Sequence, residues 1–174
     1  MFGIEILAKL IRILRSAAAP SQIAGGFILG MIIGLTPLWS LHNLVVLFLI
    51  IVLNVNIGMA LFSFALFSGI AYLFDPLFHE LGFYILVDLT GLREAWTGLY
   101  NVPIIALSKF NNTVVMGSLL SSLILLIPVY FGSKKGVVWY RENIDTKMQK
   151  WKIVKVIKGS KIYDIYQKIR NLGD

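Results

Sequence analysis

Few side chains in this chain can do chemistry. Asp75, His79 and Glu80 stand close together, with Asp88 further on. Two carboxylates and an imidazole can titrate together, hold a metal or act on a lipid bond. No HExxH or comparable ligand spacing accompanies them. The chain has no cysteine, which excludes disulfides and thiolate metal sites. A second polar group interrupts an apolar run at TPLWSLHN, which places Thr36, Pro37, Ser40, His42 and Asn43 together. A lone histidine there is more often a hydrogen-bonded turn residue than a ligand or proton carrier. There is no P-loop, nucleophile elbow or glycine-rich dinucleotide turn. The expectation is a protein that is not an enzyme and carries no cofactor or metal. An intramembrane lipid enzyme built on Asp75, His79 and Glu80 is the weaker alternative.

These groups are set in a chain that is 57% hydrophobic and 14% charged, with a mean hydropathy of +0.79. A soluble domain is about 45–50% apolar and about 25% charged. No charged residue falls between Arg15 and Asp75, and none between Lys109 and Lys134. Runs of that length read as transmembrane. The net charge is +7, and it lies after residue 133; up to that point acids and bases balance. Beside a membrane domain, such a basic tail suits anionic lipid headgroups or topology control rather than nucleic acid.

The elements that must position these groups follow from periodicity. Residues 2–15 form an amphipathic helix with Glu5, Lys9 and Arg12 on one face, suited to the membrane interface. Residues 22–36 form a short apolar helix in which Gly26, Gly30 and Gly34 line one face and admit another backbone closely. At about 1.5 Å per residue it is too short to cross a hydrocarbon core of about 30 Å. Residues 39–54 and 57–74 follow, with Asn54 and Asn56 between them and Asp75-Pro76 ending the second. Residues 75–110 read as an interfacial or re-entrant region, and 111–132 as the cleanest span. In the tail, Ile144, Met148 and Trp151 share a face, while Lys147, Lys150, Lys152, Lys155 and Lys158 are candidates for headgroup contact.

Pro37 disfavours helix at Thr36, so the chain should break there. Thr36, Ser40, His42 and Asn43 can then satisfy the freed backbone, with Ser40 placed to cap the next helix. The product is either two short full spans or a re-entrant hairpin, giving four crossings or two. Both ends are basic and should be cytoplasmic. The fold class expected is therefore all-α: a polytopic membrane protein with a short-helix hairpin, further spans and amphipathic helices at both ends. Its parts are an interfacial helix (1–19), a membrane domain (20–132) and a basic cytoplasmic tail (133–174). Asn54, Asn56, Asp75, His79 and Glu80 are the candidate intramembrane polar groups.

Pro20, Ala24, Gly26, Gly30, Gly34, Pro37, Asn54 and Asp75-Pro76 together resemble a bacterial inner-membrane family known as domain of unknown function two-zero-six-two. The resemblance covers roughly residues 20–132. Trp39-Ser40 stand where the family often has Gly, and Asp75-Pro76 where it tends to have Asn-Pro. The resemblance implies an inner-membrane location and no established activity. Two functions are expected to compete. One is a small subunit or anchor that joins a larger envelope protein and assists lipid handling. The other is a self-contained lipid or small-solute transporter or flippase working as a homo-oligomer.

Overall fold

The computed structural model describes residues 2–145, with side chains for 5–144. It is helical throughout, with no strand among the described residues. The helices are α1 (Phe2–Arg15), α2 (Pro20–Leu35), α3 (Leu41–Val52), α4 (Ile57–Phe83), α5 (Arg93–Tyr100), α6 (Pro103–Ala106) and α7 (Thr113–Trp139). π-helical turns extend α4 to Asp88 and α7 to Asp145. Within these, Ile57–Asp88 and Thr113–Ile144, each 32 residues, are long and apolar enough to cross a membrane. The C-terminal tail, including Lys147, Lys150, Lys152, Lys155 and Lys158, lies outside the described residues.

The core is built around α2. Ile23–Gly26 and Ile28–Leu35 are all buried, so this helix is apolar and covered on every side. Glycine makes the close packing possible. A methyl group at Gly26 would stand 3.2 Å from the Asn56 carbonyl carbon, at Gly30 2.9 Å from Ser63 Cβ, and at Gly34 2.8 Å from Phe67 Cβ. The three contacts climb α2 and α4 in step, so the two helices run parallel. Ser63 is fully buried and donates to Phe27 O at 2.6 Å across the same seam.

Helix α3 folds back along α2, packing Val46 and Ile50 against Ile28, Leu29, Ile32 and Ile33. Its other face, including Leu44, Leu47, Phe48 and Ile51, is exposed. Asn54 ends α3 in the left-handed conformation (φ 49°), which Asn tolerates better than most residues. It is exposed, so its part is to turn the backbone rather than to bond across helices. Asn56 caps α4 by accepting from Met59 N–H at 2.8 Å, and its own N–H donates to Gln22 O at 3.0 Å. The hairpin thus returns to the level at which α2 began.

Helix α7 runs antiparallel to α4. A methyl group at Gly82 would press on the Thr113 backbone and one at Gly117 on that of Phe78, while Val137 meets Met59 at the other end. This corrects the expectation that Asp75-Pro76 ends a span. Pro76 lacks the N–H that would bond the Tyr72 carbonyl, yet α4 continues through it. Phe78 is buried beside Met31 and Leu35, and Gly82 packs closely on α7. Packing beyond the proline therefore holds the helix, and Asp75 sits inside it rather than capping a turn. Pro128 lies inside α7 in the same way. The region between α4 and α7 accordingly shrinks to residues 89–112. It leans on the end of α4 through Trp96 Nε1, which donates to Ile85 O at 3.1 Å.

Candidate functional site

The α2–α3 tip assembles most of the polar residues singled out in TPLWSLHN. Thr36 leaves the helix with an extended backbone (φ −100°, ψ 152°), the conformation a following proline favours. Its hydroxyl lies 2.8 Å from Ile32 O and 3.0 Å from Asn43 Oδ1, and its one proton serves one of them at a time. Asn43 is 2% exposed and donates from Nδ2 to Pro37 O at 3.0 Å and to Leu38 O at 3.3 Å. Ser40 occupies the N-cap position of α3 but does not cap it. Its hydroxyl donates backward to Pro37 O at 2.7 Å. The correction has a simple cause: once Pro37 breaks the helix, its carbonyl needs a donor, and Ser40 and Asn43 supply two. His42 stands apart, with a buried Nε2 that has no partner among the described residues. Trp39 projects outward at 85% exposure.

Beside the tip is a cleft of about 410 Å³. The Thr36–Leu38 backbone forms one wall, and Ser68, Tyr72 and Asp75 of α4 form the other. Asp75 is thereby placed next to the break, an association that their distance in sequence hides. His79 and Glu80 are exposed and do not join it. His79 Nδ1 instead pairs with Thr113 Oγ1 at 2.7 Å, tying α4 to α7. No group of three His, Cys, Asp or Glu suited to a metal forms among the described residues.

At the opposite end of the bundle a residue missed by sequence reasoning closes the base. Arg141 Nε donates to Leu14 O at 2.8 Å, and its guanidinium also donates to Ser16 O and Ala18 O, both at 2.9 Å. These are carbonyls left over at and beyond the end of α1. Leu10, Ile13 and Leu14 pack on Ile23, Met59 and Val137 just above. So α1 and the end of α7 lie at one end of the molecule. Ser63, Gly82 and Gly117 were also missed. Their partners are far away in sequence, and only small residue size hints at a seam.

Among the described residues, the fold and these sites define an all-helical bundle with two helices long and apolar enough to cross a membrane, built around a buried hairpin helix. The chain belongs to the bacterial family described as "Uncharacterized protein conserved in bacteria (DUF2062)", whose model matches residues 6–144. That match is wider than the resemblance in the apolar core, and it takes in most of α1 and the Arg141 staple. An uncharacterized protein of Treponema pallidum (strain Nichols) is 28% identical over 145 residues, covering 83% of this chain and 89% of the relative. No solved structure matches the chain.

Proposed function

We propose that this protein is a small inner-membrane subunit or anchor, in which α4 and α7 cross the bilayer and the α2–α3 hairpin enters and returns. In this role it joins a larger envelope protein and assists lipid handling. The observation that carries the reading is the filled interior. The glycine seam brings α2 against the α4 backbone, and most of α2 is buried. Packing this close leaves no space between α2 and α4 along the seam, while the apolar outer surface suits lipid or a membrane partner.

The hairpin's depth supports two crossings. At about 1.5 Å per residue, α2 is about 24 Å long and α3 about 18 Å, both short of a core of about 30 Å. The tip stands beside Ser68–Asp75, while the α4–α7 seam continues to Gly82 and Thr113. The packed α4–α7 seam thus extends about 10–20 Å past the tip. Irregular backbone at such a depth must be satisfied by protein, and Ser40 and Asn43 do this for the Pro37 and Leu38 carbonyls. Among the described residues, Lys9, Arg12, Arg15, Lys134, Lys135 and Arg141 gather at the α1 end, and Arg93 and Lys109 at the other, so the base faces the cytoplasm by the positive-inside rule.

The cleft holding Asp75 favours a second reading, a homo-oligomeric transporter whose pathway runs along the hairpin tip. Ionisable groups at membrane depth are often functional. Native mass spectrometry of the protein, purified from its own membranes in mild detergent, separates the two. A stoichiometric second protein supports the subunit. A clean homo-oligomer that moves lipid in proteoliposomes supports the transporter and overturns the subunit.

A further inference from the structure

We infer that the cytoplasmic end of α7 carries a specific site for the headgroup of an anionic phospholipid, formed by Lys134, Lys135 and Trp139. The inference rests on the membrane reading above. Thr113–Ser133 of α7 is uncharged and about 31 Å long at 1.5 Å per residue, which matches the hydrocarbon core. Lys134 and Lys135 are the first charges after it, at the depth of phosphate groups.

A groove of about 390 Å³ opens there between side chains of successive turns of α7. Phe131, Val138 and Trp139 form its apolar walls, and Lys134, Lys135 and Glu142 its polar ones. Two ammonium groups against one carboxylate leave the groove with a formal charge of +1. Neither lysine pairs with a carboxylate among the described residues, although Glu142 is on the same face. Both are exposed, as are Phe131 and Trp139. The chemistry fits an amphiphile: acyl chain and glycerol against Phe131 and Val138, phosphate on the ammonium groups, and the indole at the interface where Trp is enriched. The neighbouring guanidinium is already committed, because Arg141 holds the end of α1.

The test uses the full chain in detergent, titrated with phosphatidylglycerol or phosphatidylcholine and read by native mass spectrometry. Wild type is expected to retain one phosphatidylglycerol per chain in preference to phosphatidylcholine. The double variant Lys134→Gln/Lys135→Gln should lose about tenfold in that retention, while Lys109→Gln, at the other end of the bundle, should not. A tail variant replaces Lys147, Lys150, Lys152, Lys155 and Lys158 with Gln. Full retention in the double variant, or loss only in the tail variant, would overturn the inference. Carbonate extraction keeps the two claims apart. A protein that washes off membranes overturns the membrane reading, whereas one that stays but shows no lipid preference overturns the headgroup site alone.

Discussion

Replacing Gly30 by Ala tests the central seam most sharply. The new methyl carbon would lie against the Ala60 carbonyl oxygen, 2.9 Å from the Ala60 carbonyl carbon and 2.9 Å from Ser63 Cβ. Carbon atoms in contact prefer about 3.5–4.0 Å, so α2 and α4 must part by several tenths of an ångström or more. Overpacking of this kind costs about 1–3 kcal/mol. The separation also stretches the 2.6 Å bond from Ser63 to Phe27 O, and interhelical bonds in membranes are worth about 0.6 kcal/mol on average. Against this, Ala gains about 1 kcal/mol over Gly in helix propensity. The balance is a loss of about 1–2 kcal/mol, or roughly 5–30-fold in the folded-to-unfolded ratio. Gly69→Ala is the control, because a methyl there meets nothing within 4 Å and keeps the propensity gain. Reversible unfolding in mixed micelles, followed by circular dichroism, measures both. If Gly30→Ala proves as stable as Gly69→Ala, the seam is not closed and the filled interior that supports the subunit reading falls with it.

Three further outcomes are expected. Asn43→Ala should destabilise the fold by about 1–2 kcal/mol in the same unfolding assay, because its amide bonds to Pro37 O and Leu38 O are worth about 0.5–1.5 kcal/mol each and only Pro37 O keeps a second donor, Ser40; a neutral result would mean that water reaches the tip. Arg141→Gln should speed hydrogen exchange in residues 5–15 and leave α2 protected, since its contacts run to Leu14, Ser16 and Ala18; unchanged exchange in α1 would deny the staple. Because the chain has no cysteine, single Cys variants report topology cleanly. Trp39→Cys should resist an impermeant maleimide applied to intact cells, whereas Asn101→Cys should react, and equal labelling of the two would favour four crossings.

The sequence made some features legible and hid others for physical reasons. The spacing of Gly26, Gly30 and Gly34 identified the face of α2 that meets another backbone, because small residues at that period have few other uses in an apolar helix. The break at Thr36-Pro37 was equally readable, since proline acts on its own neighbours. The same local rule failed at Pro76. There the deciding interactions join Phe78 and Gly82 to residues of α2 and α7 far away in the chain, and no window around the proline contains them. Ser40 was misjudged for a related reason: its hydroxyl had a choice between a forward cap and a backward carbonyl, and only the turn geometry decides. Arg141 carried no local signal beyond its charge, which suggested orientation in the membrane rather than a bond to a carbonyl 127 residues away.

The bonding around the Pro37 carbonyl bears on what the hairpin can do. In hydrocarbon, a helix break that moves must exchange its hydrogen bonds for others, and each unsatisfied backbone group costs several kcal/mol. The Pro37 carbonyl holds two donors, and Thr36 and Asn43 face each other. Opening this turn therefore breaks several bonds together, and under the proposed re-entrant placement no water would replace them. Below it, any outward slide of α2 separates the Gly30 and Gly34 contacts along the whole seam. Under the proposed subunit reading, a hairpin fixed at its tip and along its length would act as a wedge rather than a gate. Its exposed parts include Trp39 at the tip, the α3 face around Phe48 and the cleft beside Asp75. Any lipid handling is then expected at these outer surfaces, through a partner or a second copy laid against them, and not by rocking within one chain.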